Sequence, residues 1–234
     1  MWNGLLDLIY PPCCMLCPTP GGRFCARCES ALFHDNHSAC PRCADTLGPY
    51  SSCANCAGKK FHFDGVFRLG VYDGLLREVV LRLKFADGET LGRLVGQTWA
   101  AQCRPQFVAL NLTCAMPVPL HWRRRLSRGY NQAEAVGRGI AAELGIPMQS
   151  FRLWRVRATA DQKALRRSER LANPRGAFAA TTNPALVGKR VLLVDDVMTT
   201  GSTCNESALA LKKAGAAAVF VAVLARATDG VNGG

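Results

Sequence analysis

The sequence predicts an α/β protein in which a small cysteine-rich head precedes a doubly wound parallel sheet. Nine of the twelve cysteines lie between Cys13 and Cys56, in a stretch with few large apolar residues for a core of its own. Beyond that stretch, apolar runs of strand length alternate with segments of helical periodicity, which is the order typical of parallel sheets. We therefore expect a head over residues 1–60 and an α/β domain over residues 61–234.

The cysteines of the head form four Cys-x-x-Cys pairs, a spacing that lets two thiolates of a tight turn bind one metal ion. Two pairs complete a tetrahedral Zn²⁺ site, so we expect two structural Zn²⁺ ions, with the pairs grouped either in sequence or interleaved. Disulfides would need an oxidising compartment, and a thioredoxin-type motif would need one pair beside a strand and a helix. Cys13 is next to Cys14 and could replace it as a ligand, but only Cys14 has the two-residue spacing to Cys17. The predicted ligands are Cys14, Cys17, Cys25, Cys28, Cys40, Cys43, Cys53 and Cys56.

The first half of the α/β domain alternates between strands and helices. Alternating apolar residues indicate a strand over 63–72, which an Asp-Gly pair ends. Apolar residues at helical spacing then predict helices over 75–85 and 91–102. A buried strand over 112–118 leads through an arginine-rich loop into a helix over 130–144, which a Gly and a nearby Pro end.

The second half carries the strand on which our functional hypothesis depends. A short strand is predicted over 151–156, and the polar, arginine-rich segment 157–176 is expected to be a mobile excursion. Four consecutive apolar residues predict a buried strand over 191–194, followed by a helix over 202–213 and a last strand over 217–224.

Two adjacent carboxylates, Asp195 and Asp196, end the strand over 191–194, and a turn rich in hydroxyls opens the next helix. Ligands of open α/β sheets bind beyond the carboxyl ends of the strands, and a helix N-terminus suits a phosphate. Gly201 lets the backbone approach a ligand closely. Two acids beside a phosphate would repel it unless they hold sugar hydroxyls or share a divalent cation. The motif therefore indicates a phosphorylated sugar with Mg²⁺. The two acids alone would indicate only the end of a strand, and the hydroxyl turn alone would indicate only a helix cap.

This motif closely resembles the phosphoribosyl-pyrophosphate (PRPP) motif of type I phosphoribosyltransferases. The resemblance implies that the two acids hold the ribose hydroxyls and that the following turn surrounds the 5′-phosphate. Purine-salvage members carry a third acid, a proposed general base, where this chain has Thr199, so the chain is closer to the orotate-type branch. The implied PRPP-binding residues are Asp195, Asp196, Val197, Thr199, Thr200, Gly201, Ser202 and Thr203.

The chain is strongly basic, with a formal net charge of +12. Fourteen basic and four acidic residues lie between Arg104 and Arg175, so this segment alone carries +10 and should attract a polyanion. Within it, Arg125 and Arg128 follow the second predicted strand and are candidates to receive the pyrophosphate of PRPP. A lid over the ligand is expected from the segment that contains Gln162, Arg167, Arg170 and Asn173.

The chain as a whole resembles the ComF-type competence family, phosphoribosyltransferase-like proteins with an N-terminal double zinc ribbon. The resemblance covers about residues 5–226. It implies a cytoplasmic factor that handles incoming single-stranded DNA in competent bacteria. The motifs that carry it include the Cys-x-x-Cys series, Lys84-Phe85, Val118-Pro119-Leu120, Arg128-Gly129-Tyr130-Asn131-Gln132, Gly176-Ala177-Phe178, the PRPP motif and Ala225-Arg226.

Two functions of different classes follow. The first is a Mg²⁺-dependent phosphoribosyltransferase in which Asp195, Asp196, Arg125 and Arg128 are catalytic and no segment indicates the acceptor. The second is a binding module, in which the basic segment binds single-stranded DNA, the zinc head docks a helicase-like partner and PRPP is a regulator or a vestigial ligand. Retention of both acids and the full hydroxyl turn favours PRPP binding. No apolar run reaches the ~18 residues that span a bilayer and no secretory signal is present, so we expect a cytoplasmic protein without membrane insertion.

Overall fold

The computed structural model describes residues 13–20, 22–48, 53, 55–85, 87–120, 125–126, 128–157, 174–181 and 186–227. The strands are β1 (Gly65–Val71), β2 (Cys114–Pro117), β3 (Leu153–Arg155), β4 (Phe178–Ala180), β5 (Arg190–Met198) and β6 (Ala218–Arg226). The helices are α1 (Ala26–Phe33), α2 (Gly74–Arg82), α3 (Gly88–Gln102), α4 (Arg104–Ala109), α5 (Gln132–Leu144) and α6 (Ser202–Lys213). Four strands form a parallel sheet in the order β1-β6-β5-β2, and β3 pairs with β4 in a separate antiparallel ribbon.

Both faces of the parallel sheet are covered, as the doubly wound prediction requires. Successive residues of a strand point to opposite faces. In β5, Leu192 and Val194 belong to a core cluster that includes Ile140 of α5, whereas Val191 and Leu193 belong to a second cluster that includes Leu211 of α6. Each of these six side chains is fully buried. The near-continuous apolar sequence of β5 therefore reflects burial on both sides.

Helices α3 and α5 cross so closely that glycine is required at the crossing. A Cβ atom at Gly96 would lie 2.1 Å from the carbonyl oxygen of Val136, and one at Gly139 would lie 2.0 Å from the carbonyl oxygen of Arg93. Real Cβ contacts are essentially never shorter than 3.0 Å. Tyr130 ties the start of α5 to the loop before α3, because its hydroxyl donates to the carbonyl oxygen of Leu83.

A buried arginine of the sheet holds the cysteine-rich head. Arg68 of β1 is 8% exposed, and its Nε donates to the Asp35 carboxylate at 2.7 Å. The same guanidinium donates to the Ala44 carbonyl at 2.9 Å, to the Thr46 hydroxyl at 3.0 Å and to the His37 carbonyl at 3.3 Å. Charge-assisted hydrogen bonds of this kind fix a loop more firmly than neutral ones. The loop over residues 35–46, which contains Cys40 and Cys43, is thus anchored to the sheet.

The predicted elements of the α/β domain agree with the structure within a few residues, and the helix predicted over 202–213 coincides with α6. Strand β4 and helices α1 and α4 were not predicted. Helix α1 begins inside the Cys25/Cys28 pair, where metal-ligand spacing obscures helical periodicity, and α4 has only six residues. Among the described helices, none combines the length and the apolar character needed to cross a bilayer.

Candidate functional site

A small, open pocket lies at the carboxyl end of β5, where the chain turns into α6. This is the edge at which open α/β sheets bind their ligands. The structure therefore brings the first of the two predicted acids and the hydroxyl turn to one cavity. The lining residues are Asp195, Val197, Met198, Thr199, Thr200, Gly201, Ser202, Thr203 and Cys204.

The Asp195 carboxylate is held between the backbone and the first turn of α6. Its Oδ1 accepts the backbone N–H of Asp196 at 2.9 Å, and its Oδ2 accepts the Cys204 thiol at 3.7 Å. Burial raises the pKa of Asp195 well above that of an ordinary carboxyl, and the charge of Asp196 raises it further. Burial and the nearby Asp195 likewise raise the pKa of Cys204. Cys204, which is 1% exposed, is therefore a packed thiol that donates to Asp195 and is not an activated nucleophile.

Asp196 does not line this pocket. Its Oδ1 accepts the backbone N–H of Val197 at 2.8 Å. Because side chains alternate along a strand, Asp196 follows the face of Leu192 and Val194, opposite to α6. The two adjacent acids thus stand on opposite faces at the end of β5.

Gly201 shapes the turn that follows β5. Its φ of +78° lies in the left-handed region, and a Cβ there would lie 2.4 Å from Cε of Met198. Thr200 Oγ1 and Ser202 Oγ are 2.9 Å apart and form a hydrogen bond within the turn. Helix α6 begins at Ser202, so its positive dipole end meets the hydroxyls at the pocket. This combination of donors suits a phosphate group.

Arg226 lies beside the turn; in the sequence it stood out only as part of the motif Ala225-Arg226, with no role assigned at the site. It is 1% exposed, and its guanidinium donates to the carbonyl oxygens of Met198 at 2.9 Å and Ala227 at 3.3 Å. Another nitrogen of the same group is 3.9 Å from the Asp45 carboxylate in the head. The available signal was a lone charged residue in β6, whose other eight residues are apolar.

The remaining predicted residues are not brought into this pocket. Arg125 lies 3.9 Å from the Glu134 carboxylate, and its guanidinium stands 5.9 Å from the centre of the Phe151 ring. Arg128 is half-buried and does not line the cavity among the described residues. The four predicted lid residues, Gln162, Arg167, Arg170 and Asn173, lie outside the described residues.

The eight predicted metal ligands form two clusters, in each of which the four sulfurs lie within 4.8 Å of one another. The first cluster is Cys14, Cys17, Cys25 and Cys28, and the second is Cys40, Cys43, Cys53 and Cys56. The grouping is therefore sequential, and the interleaved alternative is excluded. All twelve cysteines are described and none forms a disulfide, and Cys13 is exposed outside both clusters.

The geometry of both clusters fits Zn²⁺. The Cys17–Cys28 and Cys40–Cys56 sulfur distances are 3.5 and 3.7 Å, close to the ~3.8 Å that tetrahedral Zn–S bonds of about 2.3 Å require. Hydrogen bonds from Thr19 lower the pKa of Cys17 to about 6, whereas burial raises the pKa of Cys28 to about 12. Four such thiols in contact ionise together only around a cation. A donor set of four sulfurs is that of a closed, structural zinc site.

Two family models match the chain. Residues 5–57 match the double zinc ribbon domain, and residues 131–231 match the phosphoribosyl transferase domain. The first match contains both cysteine clusters, and the second contains the pocket at the end of β5.

Several proteins are similar over nearly their whole length. Competence protein F of Haemophilus influenzae is 32% identical over 209 residues, which cover 87% of this chain and 90% of that protein. The DNA utilization protein YhgH of Escherichia coli K12 is 30% identical and covers 94% of this chain and 99% of its own. Competence protein ComFC of Streptococcus pneumoniae is 27% identical, with 82% of each chain covered.

Two of the solved structures that match part of this chain are enzymes, and both match at low identity. Glutamine phosphoribosylpyrophosphate amidotransferase of B. subtilis, complexed with ADP and GMP, matches 58% of this chain at 23% identity with a TM-score of 0.36. The allosteric regulatory enzyme of purine biosynthesis matches 63% at 22% identity with a TM-score of 0.41. This chain covers 25% and 30% of those two enzymes, respectively.

Proposed function

Because the chain belongs to the ComF-type family of competence and DNA utilization proteins, we propose that it binds PRPP at the turn between β5 and α6. Its architecture is a phosphoribosyltransferase-like parallel α/β sheet with an N-terminal zinc-ribbon head. The observation that carries the proposal is that Asp195 and the hydroxyls of residues 199–203 line one pocket at the ligand-binding edge of the sheet.

In the proposed complex, the turn and the α6 N-terminus surround the 5′-phosphate, since hydroxyls, backbone N–H groups and the helix dipole all favour an anion there. Asp195 accepts hydrogen bonds from the ribose hydroxyls. Asp196 stands at the same end of β5 but on the other face of the strand. We propose that it accepts a hydrogen bond from a second ribose hydroxyl on that side. Mg²⁺, when bound with PRPP, supplies positive charge that stabilises the departing pyrophosphate.

As an enzyme, the protein would transfer the phosphoribosyl group. The bond from C1 to the pyrophosphate oxygen breaks, the electron pair leaves with pyrophosphate, and the acceptor binds C1. Arg125 and Arg128 are proposed to stabilise the leaving group by preorganised charge. The segment with Gln162, Arg167, Arg170 and Asn173 is proposed to cover the site and exclude water, because hydrolysis of PRPP would compete with transfer.

Isothermal titration with PRPP and Mg²⁺ tests the sugar-phosphate site. The double variant Asp195→Asn with Asp196→Asn keeps the side-chain size but removes both carboxylates, and we expect it to weaken PRPP binding at least tenfold. Glu78→Gln is the matched control, because Glu78 is an exposed carboxylate on α2. Equal affinity of the double variant and the control would overturn the proposal.

A second candidate function is DNA handling during uptake, with PRPP as a regulator. It is favoured by the net charge of +10 between Arg104 and Arg175 and by the relatives named DNA utilization proteins. Under this function the zinc head docks a helicase-like partner in the cytoplasm. Binding of a fluorescent thymidine 20-mer should weaken linearly in log[salt]. Absence of binding at low salt would remove DNA as a direct ligand.

A further inference from the structure

A second, larger cavity lies away from the β5–α6 pocket. It is an open groove of about 520 Å³ beside the crossing of α3 and α5, and a loop of the head borders it. Most of its lining is polar or charged. The lining residues are Arg23, Glu89, Thr90, Arg93, Leu94, Gln97, Ala135 and Arg138.

The groove has an excess of positive charge. Three arginines line it against one carboxylate, that of Glu89. Arg138 is paired with Glu134 at 2.6 Å, and Arg23 donates to the Gln97 amide oxygen at 3.0 Å. The Arg93 side chain makes no hydrogen bond or ion pair with any residue in the described part of the chain, so its charge has no direct partner there. An anionic ligand would supply the missing partner.

Two arginines of the groove, Arg93 and Arg138, stand on helices that pack against each other, and the third, Arg23, lies in a loop of the head. The glycine crossing brings the Arg93 backbone of α3 directly against Gly139 of α5, next to Arg138. Arg23 is followed by Phe24, which is 8% exposed in the main core, and then by the metal-ligand Cys25. From Glu89 to Gln97 the lining of α3 extends about 12 Å, at 1.5 Å per residue. The backbone positions of the three cations therefore form a track that is held by packing, and their side chains are exposed along it.

An exposed aromatic ring lies next to this track. Phe151 is 75% exposed, and the guanidinium of Arg125 stands over its ring at 5.9 Å. The preceding residue, Ser150, donates to Glu134 Oε1 at 2.8 Å, and Arg138 donates to the same oxygen. Glu134 thus joins the aromatic end to the groove. A basic track beside an exposed aromatic ring is the arrangement that binds single-stranded nucleic acid, since phosphates follow the cations and bases stack on the ring.

We propose that this groove binds a short stretch of single-stranded DNA, with its phosphates along Arg23, Arg93 and Arg138 and one base stacked on Phe151. The proposal rests on the DNA-handling function proposed above and assigns it a site distinct from the PRPP pocket. A duplex fits less well, because its bases are stacked inside and cannot reach Phe151. An acidic peptide would use the arginines but would leave the exposed ring without a stacking partner.

Fluorescence anisotropy of the full-length, zinc-loaded chain with a labelled thymidine 20-mer tests the site. We expect Arg23→Gln with Arg93→Gln to lower affinity at least tenfold at low salt and to reduce the salt slope by about 1.4, since each phosphate contact on a single strand contributes about 0.7. Phe151→Ala should lower affinity about tenfold and leave the salt slope unchanged, because stacking releases no counterions.

Matched controls remove an exposed charge or an exposed apolar side chain elsewhere. Arg77→Gln on α2 and Val108→Ala on α4 should bind the 20-mer like the wild type. Groove variants that bind like these controls while the wild type binds tightly would overturn the site but leave DNA handling intact. No binding by the wild type would overturn both. Displacement by poly-glutamate together with an inert Phe151→Ala would assign the groove to acidic peptides and also overturn the proposal.

Discussion

The crossing of α3 and α5 allows two alanine substitutions, one helical turn apart, to be compared directly. A Cβ at Gly96 would meet the backbone carbonyl of Val136 at 2.1 Å. A Cβ at Gly92 would instead meet the side-chain methyl of Ala135 at 3.1 Å. Both substitutions gain the same helix propensity, about 1 kcal/mol for Ala over Gly. Any difference between them therefore reports the closeness of the crossing.

The expected difference follows from the distances. An ordinary contact begins near 3.4 Å, so Gly96→Ala must push the helices apart by about 1.3 Å unless the backbone bends. A gap of about 1 Å forfeits up to half of each ~0.1–0.2 kcal/mol atom contact, which over some 50 contacts is about 3 kcal/mol. After the propensity gain, we expect Gly96→Ala to destabilise the fold by about 2 kcal/mol. Gly92→Ala should stay within about 1 kcal/mol of the wild type, because a methyl contact relaxes with little movement.

Thermal unfolding of the zinc-loaded protein measures this difference. For a chain of this size, about 2 kcal/mol corresponds to a Tm lower by about 4–8 °C. Urea unfolding with an unchanged m-value would confirm that the native state is the one affected. Equal midpoints for Gly96→Ala and Gly92→Ala would refute the close approach of the two helices and, with it, the rigid placement of Arg93 beside α5.

Metal analysis should find two Zn per chain, one after Cys40→Ser, and still two after Cys13→Ser, whose thiol lies outside both clusters; two ions in the Cys40 variant would contradict the second site. Tyr130→Phe should cost about 1 kcal/mol in urea unfolding at neutral pH, because the Leu83 carbonyl loses its donor. Burial raises the pKa of Tyr130 to about 12, so the protonated phenol stabilises the fold below the unfolded pKa of about 10 and this contribution is lost as pH rises towards 12. A difference between wild type and Tyr130→Phe that grew above pH 10 would contradict this assignment.

The sheet and the pocket were predictable because local patterns encode them. Two-sided burial produces an apolar strand such as β5, and helical periodicity placed α6 to the residue. The motif from Asp195 to Thr203 is continuous in sequence, so its members had to meet. Cysteine spacing likewise identified the eight ligands, but their grouping could be read only in three dimensions, because either pairing satisfies the same spacing.

Contacts between distant segments could not be predicted. The groove joins a head loop to two helices, and Arg23 lies 70 positions before Arg93 in the chain. A lone arginine such as Arg93 has no pattern that separates it from an ordinary surface charge. Strand periodicity alone implies that Asp195 and Asp196 point to opposite faces of β5. We did not draw this conclusion from the sequence, because the family resemblance assigns both acids to the same ribose. Glycines in α3 were a usable signal, since helix-interior glycine has a cost that close packing offsets.

The buried arginines of the sheet connect the zinc head to the pocket. Arg68 binds the head loop through Asp35 and three further acceptors, and Arg226 reaches from Met198, which precedes the hydroxyl turn, towards Asp45. Asp45 also accepts the backbone N–H of Cys40 through its carbonyl oxygen at 2.8 Å, so it belongs to the knuckle of the second cluster. A buried charge without a partner is costly in free energy. If this knuckle were disordered, Arg226 would lose Asp45, and we expect the end of β5, which Arg226 contacts at Met198, to be disturbed as well. The composition boundary predicted at residue 60 is therefore crossed by charged contacts, and we expect metal binding in the head to support the shape of the turn to which we assign the phosphate.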